Sequence, residues 1–563
     1  MRDTLLIENG VVYDGLGGAP VHSSVLVEGG RIRALGIEAH SYEGERHDAG
    51  GLAIAPGFVD MHTHSDVSVL SHPDCVSAIW QGITSQVVGH CGFSAAPTDS
   101  STRQSMRLEE PVFGFPGPDG DEAEWGWDTM TDYLDALADC RPRTNVGTFV
   151  GHNTLRRLVV GSQAGEPDDS VLSSMADRAR SSIEEGALGV TTGLSYPPGI
   201  YASTREIIAI ARVAAECGRR YHTHMRYDSG GVRSSLEEAI ATGRAAECSV
   251  NVSHLYPAAT DPENEVERLF TMIEAENRGG GDVTFDLTLF VRGGGARAQS
   301  LPAWALEGGL EGFRGRLADP QARARLLAGI EQGQAGRDWD DDLIVKVSGE
   351  GSADLVGRSI GEMAEAEEIE PAEMVLRALG ADPQFWVAPT IKRQTDLDEL
   401  LRHELCIPVT DGMSSHPQRH AHLGLMPKTF GTFPLLFQSY VRERGVLGLP
   451  EAIARATSAP ADRLGLPDRG RLVEGNMADI VIFDPMEIAS TGTDEAPGQQ
   501  PRGVRDVMAN GSWAMPGLGS GTAGLFNDAH VPNSREPYSD DMENCAVAGL
   551  FGNPSGGMGC FDN

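Results

Sequence analysis

From residue 56 to about 466, short apolar runs alternate with helical stretches, and this alternation restricts the fold more than any other feature of the 563-residue chain. The strand candidates are "TNVGTFVGH", "LGVTTGL", "YHTHM", "VNVSHL", "VTFDLTLF", "QFWVAPT" and "IPVTDGM". A helix is expected over 203–218, where Ser203 and Glu206 stand at capping-box spacing ahead of "IIAIARVAAECG". Strand–helix–strand repetition over such a length predicts a parallel sheet. The α/β architecture that accommodates it is a TIM-like (β/α)8 barrel, with its active site at the carboxyl ends of the strands.

The flanks read differently. Residues 1–55 alternate apolar and polar positions between Asn-Gly, Asp-Gly and Gly-Gly turns, and 467–525 has the same texture in "DRGRLVEGNMADIVIFDP" and "VRDVMANGSWAM". These two segments are expected to form one small β domain built from both termini. Gly-rich and then helical residues interrupt the barrel pattern at 287–343, which reads as a small inserted subdomain. Residues 526–563 show little periodicity and are expected to be an irregular C-terminal tail.

A net charge of −36, from 81 acidic and 45 basic residues, argues against nucleic acid or an anionic membrane surface as partner. No run of about 18 apolar residues is present, so no membrane span is expected. The start "MRDTLLIENG" lacks a secretory pattern, and the eight cysteines include no CxxC pair. Reduced thiols and a cytoplasmic location follow as expectations. The charge is compatible with a small-molecule enzyme, as a monomer or a homo-oligomer.

Histidines gather where apolar strands stop. In "GFVDMHTHSD", Phe58, Asp60, His62 and His64 alternate onto one strand face. A lone buried histidine is ordinarily a satisfied core residue, but two at i, i+2 ending a strand can chelate one zinc ion. "YHTHMRYD" carries His222 and His224, "VNVSHLYP" carries His254, and "IPVTDGMSS" ends in Asp411 before a glycine. Two-metal histidine sites need an anionic group between the ions. No lysine lies between His64 and His254, so a carboxylated lysine is unavailable there. Cys91 in "VVGHCGFSAAP" is the best substitute, since thiolate is anionic and a good zinc ligand.

The segments "APGFVDMHTHSD", "GITSQVVGHCGFSAAP", "GHNTLR", "GALGVTTGLSYPPGIYAS", "HTHMR", "VSHLYP", "TDG" and "KTFGTFPLL", in this order, resemble the N-acyl-D-amino-acid deacylases (D-aminoacylases) of the amidohydrolase superfamily. The resemblance implies a distorted (β/α)8 barrel with a small β-sandwich built from both termini and a small inserted subdomain. It also implies that Cys91, His224 and His254 hold a tight catalytic zinc and that His62 and His64 serve a weaker outer site. It implies Asp411 as the base, also in reach of the outer metal, and selects His224 over His222. Tyr196 and Tyr256 fall in its substrate-facing segments. Relatives usually read Ser-His-His-Lys around the third histidine, where this chain has Ser253-His254-Leu255-Tyr256, and Lys428 stands where an arginine is expected. Arg226, Arg292 and Lys428 are then the candidate partners of a substrate carboxylate.

The implied reaction is zinc-dependent hydrolysis of an exocyclic N-acyl amide, of an N-acyl-D-amino acid or another N-acylated small molecule, to an acid and a free amine. Two alternatives are a cyclic amidase of the hydantoinase or dihydropyrimidinase kind and a catalytically silent barrel scaffold. His416, His420 and His422 read as a polar loop at the barrel rim. The glycines of "RGGGAR" lack the strand–Gly–Lys–helix context of a phosphate loop.

Overall fold

Five short strands lead into the body of the protein: β1 (Thr4–Val12), β2 (Val21–Glu28), β3 (Arg31–Leu35), β4 (Glu45–Asp48) and β5 (Ala53–Pro56). The computed structural model describes residues 4–37, 42–109, 125–226, 231–334, 337–347, 355–417 and 425–515. The tail expected at 526–563 and the loop histidines His420 and His422 lie outside them.

The middle of the chain supplies two parallel sheets. The first joins β6 (Phe58–Asp60), β7 (Ile83–Val88) and β8 (Asn145–Thr148). The second runs from β9 (Val150–Gly151) through β10 (Gly189–Gly193), β11 (Arg220–His224), β12 (Val250–Val252) and β13 (Val283–Thr288). All of these strands are buried or nearly so, which explains their continuous apolar reading. The barrel expected from the alternation is therefore present as two ladders, not one continuous ring. Only Phe149 separates β8 from β9. At the other edge a parallel bridge pairs Thr63 with Gly412, flanked by hydrogen bonds from Asp411 N to His62 O and His64 N to Gly412 O.

The interruption expected at 287–343 is longer than that. A separate antiparallel sheet of β14 (Gly295–Ala296), β15 (Leu343–Lys346) and β16 (Trp386–Ala388) carries it to about residue 392. "QFWVAPT" thus belongs to the insertion and not to the parallel sheet. A three-residue strand buried on both faces reads the same in either pairing. The insertion has its own core, with Phe313, Leu326, Ile360 and Val375, and that core continues into Phe93 and Tyr196 beside the site.

The chain returns through β17 (Cys406–Val409), which pairs with β13 and completes the second parallel sheet. It ends with β18 (Ile480–Phe483), β19 (Val504–Ala509) and β20 (Ser512–Met515). These join the opening strands in one eight-stranded sheet of order β20-β19-β18-β5-β1-β2-β3, with β4 on β1. Ile7, Val25, Ile54, Ile480 and Met508 form its core.

Helix Thr204–Glu216 starts where the sequence predicts, but its capping box is half made. Ser203 Oγ accepts from Glu206 N at 3.3 Å. The Glu206 carboxylate turns inward instead, to His152 and Arg156. No described helix is long and apolar enough to cross a membrane.

Candidate metal centre

Each expected ligand sits at or just past the carboxyl end of a parallel strand: His62 and His64 after β6, Cys91 after β7, His224 closing β11, His254 after β12 and Asp411 after β17. Five segments far apart in sequence thereby converge on one point. Cys91 (φ 52°), His254 (φ 35°) and Asp411 (φ 47°) adopt left-handed backbone, each at a cost of order 1–3 kcal/mol that clusters at functional sites. Close approach matters as well. A side chain at Gly193 would place its Cβ 2.0 Å from the Cys91 carbonyl oxygen.

The ligand atoms form two clusters of three that share the thiol. His62, His64 and Cys91 make one, and Cys91, His224 and His254 the other, each with its atoms within 4.8 Å of one another. Cys91 Sγ lies 3.4 Å from His62 Nε2 and 3.7 Å from His254 Nε2. Asp411 belongs to neither cluster but faces the first. Its Oδ1 is 3.0 Å from His64 Nε2 and 3.6 Å from His62 Nε2. His222, one pleat deeper, is buried and outside both clusters.

The rings are held from behind. Tyr196 OH lies 2.8 Å from His224 Nδ1. Asp286, on β13, approaches His62 Nδ1 at 3.3 Å, accepts from His254 N at 2.6 Å, and is bonded by Asn251 at 2.8 Å. A carboxylate on one imidazole nitrogen leaves the other to a metal. Sequence reading missed Asp286; the only available signal was a lone carboxylate inside the apolar run "VTFDLTLF".

A pocket open to solvent lies over the clusters. His64, Cys91, His224, His254 and Asp411 form its floor, while Tyr196, Trp386, Met413, Met426 and Lys428 contribute to its walls. Of the expected substrate-binding groups, Tyr196 and Lys428 reach this pocket. Arg226 does not: it is tied to Glu238 at 3.1 Å and to the Ile200 and Ala202 carbonyls. Arg292 does not either, being paired with Asp341 at 2.8 Å and Asp494 at 3.1 Å. Tyr256 is also absent from the wall and lies under the ammonium of Lys392, 4.9 Å from its ring. Both arginines found acidic partners and carbonyls outside the site, a choice that isolated charges in a sequence do not reveal.

A family model described as the amidohydrolase family matches residues 45–512. This chain belongs to the amidohydrolase family. It is 30% identical over 539 residues to an N-acyl-D-aspartate deacylase of Alcaligenes xylosoxydans xylosoxydans, covering 96% of this chain and 97% of the relative. An N-acyl-D-glutamate deacylase of the same organism is 30% identical over 518 residues, covering 91% and 93%. Among solved structures, N-acyl-D-glutamate deacylase from Bordetella bronchiseptica, complexed with zinc and a phosphonate inhibitor, superposes with a TM-score of 0.75 at 26% identity. That match covers 91% of this chain and 96% of the other.

The electrostatics of this amidohydrolase fit a bound cation. Burial alone would raise the Cys91 thiol, but His62, His224 and His254 outweigh it and hold Cys91 well below its usual value. Burial would likewise lower His64, yet Asp411 and Cys91 raise it to about 9. Asp411 is pushed well below the carboxylate range, against its burial, by Lys428, His64 and His62. Buried anions that favour protons on neighbouring imidazoles favour a metal in their place, with release of those protons on binding. The donor set, one thiolate with imidazole nitrogens, is a zinc set.

Proposed function

We propose that this protein is a zinc-dependent deacylase. It hydrolyses the exocyclic amide of an N-acyl amino acid, with the D-isomers that its relatives' names specify as first substrates. One observation carries the reading: two ligand clusters share Cys91 beneath an open pocket, with a carboxylate, Asp411, at their edge.

Cys91, His224 and His254 would hold the catalytic zinc, and His62 and His64 a second, weaker ion. A zinc ion there supplies Lewis acidity toward the amide carbonyl and makes water a stronger acid. Asp411 accepts the proton of the attacking water and delivers it to the departing nitrogen as the C–N bond breaks. Tyr196 fixes the His224 ring through Nδ1, and Asp286 fixes His62. Trp386, Met413 and Met426 offer the substrate an apolar wall.

The test is amine release by the zinc-loaded protein across N-acyl-D-, N-acyl-L- and uncharged N-acyl compounds. Turnover of a linear amide with release of one amine is expected. Ring-opening of a hydantoin with no linear amide cleaved would replace this reading with the cyclic one.

A further inference from the structure

Among the described residues, Lys428 is the only lysine or arginine in the pocket wall, and its ammonium is already engaged. Lys428 Nζ lies 2.6 Å from Asp411 Oδ2, while Asp411 Oδ1 faces His64 and His62. The lysine begins helix Lys428–Leu435, whose first turn is fixed by a hydrogen bond from Gln81 Nε2 to the Thr429 carbonyl at 2.9 Å. The ammonium is therefore presented from a rigid element, with its side chain 11% exposed.

A carboxylate has two equivalent oxygens. Which of them meets the imidazoles is decided by what grips the other. A guanidinium fork binds both oxygens of a carboxylate, which would draw Oδ1 away from the histidines. An ammonium is a point charge and takes one. The observed contact, one oxygen on the cation and one on the histidines, is the lysine arrangement.

We propose that Lys428 is a positioning residue, which holds Asp411 with Oδ1 toward the histidines and does not serve as the anchor of a substrate carboxylate. This rests on the deacylase reading above. It follows that a substrate lacking the carboxylate needs Lys428 as much as one that has it.

The experiment compares the zinc-loaded wild type with Lys428→Met on an N-acyl amino acid and on its uncharged primary amide, with zinc content measured throughout. The expected result is a kcat lowered by about 30-fold or more on both compounds, KM within about threefold, and zinc unchanged. A KM raised about tenfold for the carboxylate compound alone, with kcat on the amide compound intact, would overturn the proposal. A crystal structure of the variant gives a readout independent of turnover. Asp411 Oδ1 should leave hydrogen-bonding distance of His64, and an unmoved carboxylate also overturns the proposal. Lys428→Gln, able to donate one hydrogen bond to Oδ2, is the second variant should the first fail to fold, and should retain part of the lost kcat. If the wild type cleaves neither compound, the deacylase reading fails, and the crystal structure still decides what Lys428 holds.

Discussion

Cys91 is the one atom source common to both ligand clusters, so its loss is felt by both. Cys91→Ala should purify with less than about half an equivalent of zinc and no measurable amine release, read by metal analysis and assay. Asp411→Asn separates binding from chemistry: zinc content should stay and kcat should fall by about 10²–10⁴-fold. Asp286→Asn should weaken metal affinity by about 10- to 100-fold, measured by competition with a chelator, because His62 loses the group that orients it. The pairing of His62 with His64 was legible in the sequence because the two stand two residues apart where an apolar run stops. Asp286 was not, since its partner His62 lies 224 positions away, just past another strand, and nothing local signals the contact. Arg226 and Arg292 lie outside the pocket lining for the complementary reason. A guanidinium goes to whichever acidic groups the fold brings near, and for Arg226 and Arg292 those are Glu238 and the Asp341/Asp494 pair.

Helix Thr204–Glu216 docks through a buried charge cluster rather than through apolar contact alone. Glu206 accepts from Arg156 at 2.5 Å and lies 2.7 Å from His152 Nε2, with all three residues fully buried. Burial raises the Glu206 carboxyl, but His152 and Arg156 outweigh it and bring it below its usual 4.5. A lowered carboxyl contributes stability that is present above the unfolded value and lost as pH falls through the folded one. Glu206→Gln should therefore cost on the order of 3 kcal/mol at pH 7, leaving Arg156 uncompensated. The gap in unfolding midpoint between variant and wild type should narrow as the pH falls below about 4.5. The start of this helix was readable from Ser203. The direction of the Glu206 side chain was not, because a local cap and a distant cation compete for the same carboxylate. Strand-scale reading met a similar limit at Trp386–Ala388, where three buried residues carry no mark of parallel or antiparallel pairing.

At the scale of the whole molecule, the candidate metal ligands and Asp411 come from five separate segments, so an ion bound there would cross-link the parallel sheets. Anything that binds the native state alone stabilises it by mass action. Removal of metal by a chelator should lower the thermal midpoint by several degrees, and added zinc should restore it; an unchanged midpoint would show that the clusters hold no ion. The general strand–helix plan was legible because it repeats. The limits of the insertion were not, because its sheet borrows strands of the same composition.

The eight-stranded sheet has a consequence for how the protein is made. Strand β5 leaves the ribosome early, yet the strand that covers its outer edge, β18, begins only at Ile480. At translation speeds of about 5–20 residues per second, roughly 20 to 90 seconds separate the two events. Throughout that interval an apolar strand edge stands open to any other nascent chain. Synthesis rate and chaperone supply, more than final stability, should then govern how much of this protein is recovered folded.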